Sequence, residues 1–135
     1  MFITHEAFSP KNIRYGFFTK AVPGFKTSRE KDLLKAAENF GSERIAIVNQ
    51  KHTNNVIIVN DYHSSCIADG QVTNRSGIAL GVLTADCVPI LLADEKSGVI
   101  ATVHAGWRGA RANIMQNAID QMKSLGAKNI TAIIG

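Results

Sequence analysis

The chain of 135 residues is 45% hydrophobic and 19% charged, carries a formal net charge of +4 and contains 2 cysteines. These values are typical of one globular domain and exclude a disordered or fibrous chain. Two cysteines cannot form a disulfide scaffold, so each cysteine is expected to be a free thiol or a metal ligand. The excess positive charge lies within residues 1–52 and is dispersed, which argues against the basic stripe of a nucleic-acid-binding protein.

The N-terminal third of the chain predicts one strand and one helix. Residues 1–11 lack the apolar core of a signal peptide and no later apolar run reaches membrane-spanning length, so we expect a cytoplasmic protein without a membrane partner. Aromatic β-formers predict a strand over 13–20, which a Pro-Gly pair ends. A capping-box spacing over 27–30 begins a helix, and Gly41 lies where its C-cap belongs.

Short runs of β-branched and aliphatic residues predict the sheet. These runs span 44–50, 55–60, 78–84, 88–93 and 99–104. The short connection between the first two contains His52. Residues 61–70 are predicted as a polar loop and 94–98 as a hairpin turn. The last three runs are expected to form the core of the sheet.

The C-terminal part predicts a helix followed by a strand. The apolar stripe after Gly109 comprises Ile114, Ala118, Ile119, Met122 and Leu125, with Gly126 as the stop signal. A strand over 129–134 then completes a β-α-β unit, whose strands are expected to be parallel, so His104 and Gly135 should share one edge of the sheet. The predicted fold is α/β: a single domain over 1–135, with a mixed β-sheet flanked by helices.

Three potential metal ligands lie at the ends of predicted strands: His52, Cys87 and His104. Catalytic zinc takes three protein ligands and leaves a fourth position for water, so these residues would form an open site. Their separation is not that of a zinc finger, and the prediction therefore rests on strand-end geometry. The alternatives are a buried, hydrophobic cysteine and a solvated histidine at a turn.

The segment His104-Ala105-Gly106-Trp107-Arg108-Gly109 carries further candidates. Arg108 and the backbone N–H groups of this turn, beginning at Gly106, suit a phosphate or oxyanion, and the alternative is a structural Gly-rich turn. Trp107 offers a face for a purine, or else it packs against the core. Asp86 is a candidate to orient a ligand histidine or accept a proton, or else it forms a turn.

Two further patterns are set aside. His63 and Cys66 have a spacing that metals use, but they stand in a predicted loop without further ligands. A trinuclear copper cluster needs more imidazoles than the four histidines of this chain supply. We therefore reject multicopper chemistry.

Five segments occur in a characteristic order along the chain. They are Tyr15-Gly16-Phe17-Phe18-Thr19, Gln50-Lys51-His52, Ala68-Asp69-Gly70 with Val72-Thr73, Thr84-Ala85-Asp86-Cys87-Val88-Pro89, and the His104 to Gly109 segment. This set resembles the laccase-domain family over almost the whole chain, from about Tyr15 to Gly135. The family, once called multicopper polyphenol oxidases, is now interpreted as zinc-dependent purine nucleoside phosphorylases with adenosine deaminase activity and includes the bacterial peptidoglycan editing factor.

The resemblance implies a cofactor, substrates and roles for individual residues. His52, Cys87 and His104 match the metal-ligand positions, with zinc favoured over copper, and the implied substrates are a purine nucleoside and phosphate. Two departures are visible: Lys20 replaces an arginine and the loop that follows in the family is missing. The family also continues beyond the position of Gly135, so the chain resembles a shortened form or fragment, with the C-terminal part of the family domain absent.

Two other classes of function remain open from the residues. One is a metal-free cysteine hydrolase, with Cys87 as nucleophile and His104 as base, acting on an amide such as a peptidoglycan precursor. The other is a binding module or inactive remnant, favoured by the missing loop. The sequence predicts neither the preferred nucleoside nor the oligomeric state.

Overall fold

The computed structural model describes residues 2–3, 13–19, 29–61 and 66–135, and it confirms the predicted α/β fold. The strands are β1 (Phe2–Ile3), β2 (Phe17–Phe18), β3 (Ile45–Ile47), β4 (Val56–Ile58), β5 (Gly70–Thr73), β6 (Ala79–Gly81), β7 (Val88–Asp94), β8 (Val99–Ala105) and β9 (Thr131–Ile134). The helices are α1 (Arg29–Asn39), α2 (Trp107–Arg111) and α3 (Ile114–Ser124).

Five strands form the main sheet, in the order β4-β5-β8-β7-β9. β4 and β5 are parallel, and the other neighbours are antiparallel. Because β8 and β9 both pair with β7, they run parallel to one another, as predicted. Pro89 of β7 pairs with His104 and accepts the backbone N–H of Gly135, so the expected shared edge is confirmed.

One face of this sheet is covered by α3. The apolar stripe of the helix, Ile114, Ala118 and Met122, is fully buried and belongs to one cluster with Val72 and Val103. Burying a side chain of the size of Ile or Met contributes about 1.5–3 kcal/mol, so this cluster fixes the helix on the sheet. Since side chains alternate along a strand, the neighbour of Val103 in the sequence, His104, belongs to the opposite face.

The opposite face carries polar groups and a second, smaller layer. β3 and β6 form a parallel pair, and the buried Gln71 of β5 donates hydrogen bonds from Nε2 to the carbonyls of Ala46 and Gly81, at 3.2 and 2.9 Å. These bonds connect the β3–β6 pair to the main sheet. The pair therefore lies beside the strand ends that carry the predicted ligands.

The run over 78–84 was expected in the core of the sheet, but its strand β6 pairs with β3 outside the five-stranded sheet. The structure also corrects three further sequence predictions. The strand over 13–20 is wrong in extent, because in the described part of that range only Phe17–Phe18 pairs, with the two-residue β1. The helix after Gly109 is two helices, of which the first already begins at Trp107. The two helices are separated at Asn113, whose backbone is left-handed with φ 64°, a conformation that asparagine adopts more readily than most residues.

The third correction concerns the polar loop predicted over 61–70. Its last residues, beginning at Ala68, are buried, and β5 starts at Gly70. The strand was missed because it is short and polar, without the alternation of a half-buried strand. Its polar side chains instead bond to groups distant in the sequence, as when Thr73 Oγ1 donates to the carbonyl of Val59 at 2.7 Å.

Among the described residues, no helix has both the length and the apolar character that crossing a bilayer requires.

Candidate metal centre

The three predicted ligands come from three different segments. His104 is the last residue but one of β8, and Cys87 directly precedes β7. Because Val88 pairs with Ala105, the two segments are adjacent at the open end of the β7–β8 hairpin. His52 arrives from the connection between β3 and β4, which belong to different sheets. The topology therefore brings all three to one rim.

The geometry of these three side chains is compatible with a metal ion. One ligand atom from each of His52, Cys87 and His104 lies within 4.8 Å of the others. Cys87 Sγ and His52 Nε2 are 3.7 Å apart. With Zn–S of about 2.3 Å and Zn–N of about 2.0 Å, the corresponding edge of a zinc tetrahedron is about 3.5 Å. A set of two imidazoles and one thiolate is a donor set that zinc accepts, so the residues fit the ion.

The burial of the three ligands leaves the centre accessible from one side. His104 is buried, Cys87 is half-buried and His52 is exposed. The rings of the two histidines meet edge to face, with centroids 5.0 Å apart and an interplanar angle of 72°. A metal ion held here would face solvent on the side of His52, which is the arrangement of an open site rather than a closed structural one.

Asp69 is a fully buried carboxylate beside the two histidines. Its Oδ1 lies 2.7 Å from His104 Nδ1 and accepts the backbone N–H of His52 at 3.0 Å. Its Oδ2 accepts the backbone N–H groups of Lys51 and Thr53 and the Thr53 hydroxyl. Burial opposes ionisation of this carboxyl, but the bonds from His104, Thr53 and Lys51 outweigh it and hold the pKa of Asp69 below its usual range.

The segment that carries His52 is connected to the segment that carries Cys87 through Gln50. The side-chain amide of Gln50 donates from Nε2 to the carbonyl of Leu83 at 2.7 Å and accepts the Leu83 N–H at 2.9 Å. These paired bonds fix the distance between the chain two residues before His52 and the chain four residues before Cys87. The spacing of the three candidate ligands is thus also fixed by hydrogen bonds of neighbouring residues.

Two glycines allow the turn after β8 to approach the ligands closely. A Cβ added to Gly106 would lie 2.8 Å from His52 Cδ2 and 3.2 Å from Cys87 Sγ. A Cβ added to Gly109 would lie 2.7 Å from the carbonyl oxygen of Thr53. Any larger residue at either position would push the turn and the ligand segment apart.

An open cleft of about 630 Å³ adjoins the three ligands. Its lining includes Asp86, Gln50 and Leu83 in addition to the ligands. Asp86 is exposed. Trp107 and Arg108 follow directly after Gly106; Trp107 is 70% exposed, and the Arg108 guanidinium lies 5.3 Å from the centroid of its ring. Trp107 therefore does not pack into the core, and this cation–π pair projects from the same rim.

The three residues predicted as ligands lie together in the structure, but a neighbouring carboxylate was not predicted. The carboxylate that contacts a ligand histidine is Asp69, whereas an orienting role had been considered for Asp86. Asp69 lies in the Ala68-Asp69-Gly70 segment, which is one of the segments that carry the family resemblance. That resemblance was the one feature of the sequence that could have indicated a role for Asp69. Cys66 is exposed and is not part of the three-residue group, and His63 lies outside the described residues.

Comparisons with known proteins agree with this architecture. The sequence profile of a family described as multi-copper polyphenol oxidoreductase laccase matches residues 26–135. A Rickettsia prowazekii protein named purine nucleoside phosphorylase is 42% identical over 98 residues, covering 71% of this chain and 40% of that protein. A Corynebacterium glutamicum protein named in the same way is 43% identical over 103 residues, covering 69% of this chain and 40% of that protein.

Solved structures show the same fold. The crystal structure of YlmD from Geobacillus stearothermophilus is similar with a TM-score of 0.68 and 26% sequence identity, covering 78% of this chain and 44% of that one. The chain thus spans less than half the length of the proteins it matches.

Proposed function

Because the chain belongs to the multi-copper polyphenol oxidoreductase laccase family, we propose that it acts in the phosphorolysis of purine nucleosides at a zinc centre formed by His52, Cys87 and His104. The relatives named purine nucleoside phosphorylase support this substrate class, namely a purine nucleoside and phosphate. Deamination of adenosine is the second reaction that we assign to the same rim. We propose that residues 1–135 form a single domain that corresponds to part of the family domain. We also propose that the protein acts in the cytoplasm.

The observation that carries the proposal is the convergence of two imidazoles and one thiol beside an open cleft. Ligand pockets typically measure about 300–1,000 Å³, so the cleft of about 630 Å³ is of a size for a nucleoside. The ligand set favours zinc over copper, because it is too small for a multicopper cluster. Zinc bound there would supply a Lewis acid at the rim.

Residues around the centre would bind the substrates and move protons. Arg108 would bind phosphate through its guanidinium, assisted by the N–H groups of the turn that begins at Gly106. Trp107 would stack on the purine. In phosphorolysis an oxygen of hydrogen phosphate bonds to ribose C1′ while the bond from C1′ to the purine nitrogen breaks, and Asp86 would pass the proton that the phosphate gives up to the leaving purine.

Deamination needs the same proton carrier but another nucleophile. A water oxygen adds to C6 of adenine, the bond from C6 to the exocyclic nitrogen breaks, and ammonia leaves. Asp86 would accept a proton from the water and return it to the leaving amine, so adenosine and water give inosine and ammonia. Phosphate has no part in this reaction, which separates it from phosphorolysis in an assay.

The test combines metal quantification with product analysis. Purified protein should contain about one zinc per chain, should convert adenosine to inosine with or without phosphate, and should form adenine and ribose 1-phosphate only when phosphate is present. Cys87→Ser should lose both zinc and turnover, whereas Cys66→Ser is the matched control because that thiol is exposed and outside the ligand group. Unchanged zinc content in Cys87→Ser would refute the ligand assignment.

A metal-free cysteine hydrolase is the second candidate, and one contact pattern favours it. Cys87 lies beside both histidines, and Asp69 contacts Nδ1 of the His104 ring. This arrangement resembles that of a cysteine hydrolase, with Cys87 as the nucleophile, His104 as the base and Asp69 as the carboxylate that orients the base. In the Cys66→Ser background Cys87 is the only thiol, so its alkylation can be followed by itself. A protein purified without metal whose Cys87 reacts rapidly with iodoacetamide supports the hydrolase, whereas protection by bound zinc supports the phosphorylase.

A further inference from the structure

We propose that Asp69 is the positioning residue of this metal centre, and that its single carboxylate fixes both histidine ligands, His104 through the ring and His52 through the backbone. The inference rests on the proposed function, since it concerns the same three ligands. Asp69 is not itself a member of the ligand group. Its effect is therefore indirect, through the side chain of one ligand and the peptide groups around the other.

The contact with Asp69 bears on which ring nitrogen of His104 carries the proton. Asp69 Oδ1 lies 2.7 Å from His104 Nδ1, and the main-chain N–H of His104 donates to the main-chain carbonyl of Asp69, also at 2.7 Å. Both oxygens of this carboxylate already accept backbone N–H groups, so Asp69 acts as an acceptor and the proton is on Nδ1 of the imidazole. That tautomer leaves the Nε2 lone pair free to bind a metal ion.

The same carboxylate also contacts the loop that carries His52. Three consecutive backbone N–H groups, of Lys51, His52 and Thr53, converge on the Asp69 carboxylate, as in the anion-binding arrangement called a nest. His52 itself has a φ of 60°, a conformation that a non-glycine residue adopts only when its surroundings hold it there. The bonds to Asp69 are the contacts that stabilise this conformation, so the carboxylate determines where the His52 ring lies.

An isosteric amide cannot replace this carboxylate in either orientation. In Asp69→Asn, an NH₂ group at the Oδ2 position would face the N–H groups of Lys51 and Thr53, so donors would meet donors. With the amide rotated, the NH₂ group would face His104 Nδ1 and favour the other tautomer, whose Nε2 carries a proton and cannot bind a metal ion. Each orientation therefore disturbs a histidine ligand. Because asparagine and aspartate have nearly the same volume, the substitution tests the hydrogen bonds and not the packing.

The chain offers a matched control in Asp94. This aspartate is also buried and also accepts backbone N–H groups, from Lys96, Lys128 and Asn129, but none of its described hydrogen bonds involves a ligand histidine. Asp94→Asn therefore removes a buried carboxylate of the same kind away from the centre. It should lower stability without a change in metal binding.

The experiment compares the affinity for zinc, by competition with a chromophoric chelator, and the absorption spectrum of the Co²⁺-loaded protein. Asp69→Asn should weaken zinc binding roughly 10–100-fold and alter the ligand-field bands of Co²⁺, as expected for loss of a carboxylate that orients a ligand. Asp94→Asn should keep the wild-type affinity and spectrum. An Asp69→Asn variant with wild-type affinity and an unchanged Co²⁺ spectrum would overturn the proposal.

A second measurement requires no bound metal, and it does not depend on whether the Asp69→Asn variant folds. Long-range ¹H–¹⁵N correlation NMR of the metal-free wild-type protein reports the tautomer of each histidine. The proposal requires the Nδ1–H tautomer at His104, and an Nε2–H tautomer there would contradict it. If the wild type shows the expected tautomer but binds no zinc, the proposed function fails while the orienting contact stands, so the two failures are distinguishable.

Discussion

Replacing Gly106 by alanine should disable the metal centre by moving a ligand, not by straining the backbone. Gly106 has φ −74° and ψ 162°, an extended conformation that alanine adopts freely. The cost is steric, because the new Cβ would lie 2.8 Å from His52 Cδ2. Carbon atoms in favourable contact are about 3.5–4.0 Å apart, so the ring must retreat by roughly 0.7–1.2 Å.

That displacement is large compared with what coordination tolerates. Cδ2 is bonded to Nε2 in the imidazole ring, so the ligand atom of His52 moves with it. Metal–ligand distances in proteins vary by only about ±0.2 Å around their ideal values. A retreat several times larger should remove His52 from the coordination sphere and weaken zinc binding at least as much as loss of an orienting partner does, roughly 10–100-fold.

The assay is the dissociation constant for zinc of Gly106→Ala against that of Gly81→Ala. A Cβ at Gly81 would meet a similarly close contact, 2.7 Å from the end of the Ile45 side chain, but no metal ligand. The control variant should therefore lose stability and retain affinity. If Gly106→Ala binds zinc as tightly as the wild type, the close approach of the turn to His52 has no bearing on the site and the reasoning is refuted.

Three further predictions address the scaffold. Gln50→Glu replaces the Nε2 donor with an oxygen that faces the Leu83 carbonyl, so zinc affinity should fall below that of Gln50→Ala, as measured by chelator competition; equal affinities would contradict the paired bonds. The N–H groups of Lys128 and Asn129 hold the pKa of Asp94 well below its ordinary value, so its contribution to stability is complete above about pH 4 and is lost as the pH falls below that value. Asp94→Asn should flatten this acid-induced loss in urea denaturation, and an unchanged pH profile would refute the assignment. Met122→Ala, at a fully buried position, should lower the free energy of unfolding by about 2–5 kcal/mol, and a loss well below 1 kcal/mol in urea denaturation would show that α3 is loosely packed.

Local signals predicted much of the fold. Gly41 and Gly126 follow helices with φ of 70° and 100°, as their positions in the sequence indicated. The hairpin of β7 and β8 and the stripe of α3 follow from side-chain periodicity, which depends only on neighbouring residues. Elements of this kind can be predicted because a few adjacent side chains determine them.

Two features that depend on distant contacts were not predicted. β5 is defined by its pairing with β4 and β8, and the hydrogen-bond partners of Gln71 are 25 and 10 residues away in the sequence. The role of Asp69 depends on a histidine 35 residues further along and on the left-handed conformation of His52, neither of which a local pattern specifies. The three proposed ligands could be named from the sequence, but the carboxylate that we propose to orient them could not.

X-ray absorption spectroscopy of the zinc-loaded protein tests the central claim most directly, because it counts the sulfur and nitrogen neighbours of the metal. The account predicts one sulfur at about 2.3 Å, from Cys87, and two imidazole nitrogens at about 2.0 Å, with one further light atom. A shell without sulfur, or with more than one sulfur, would contradict a centre built from His52, Cys87 and His104.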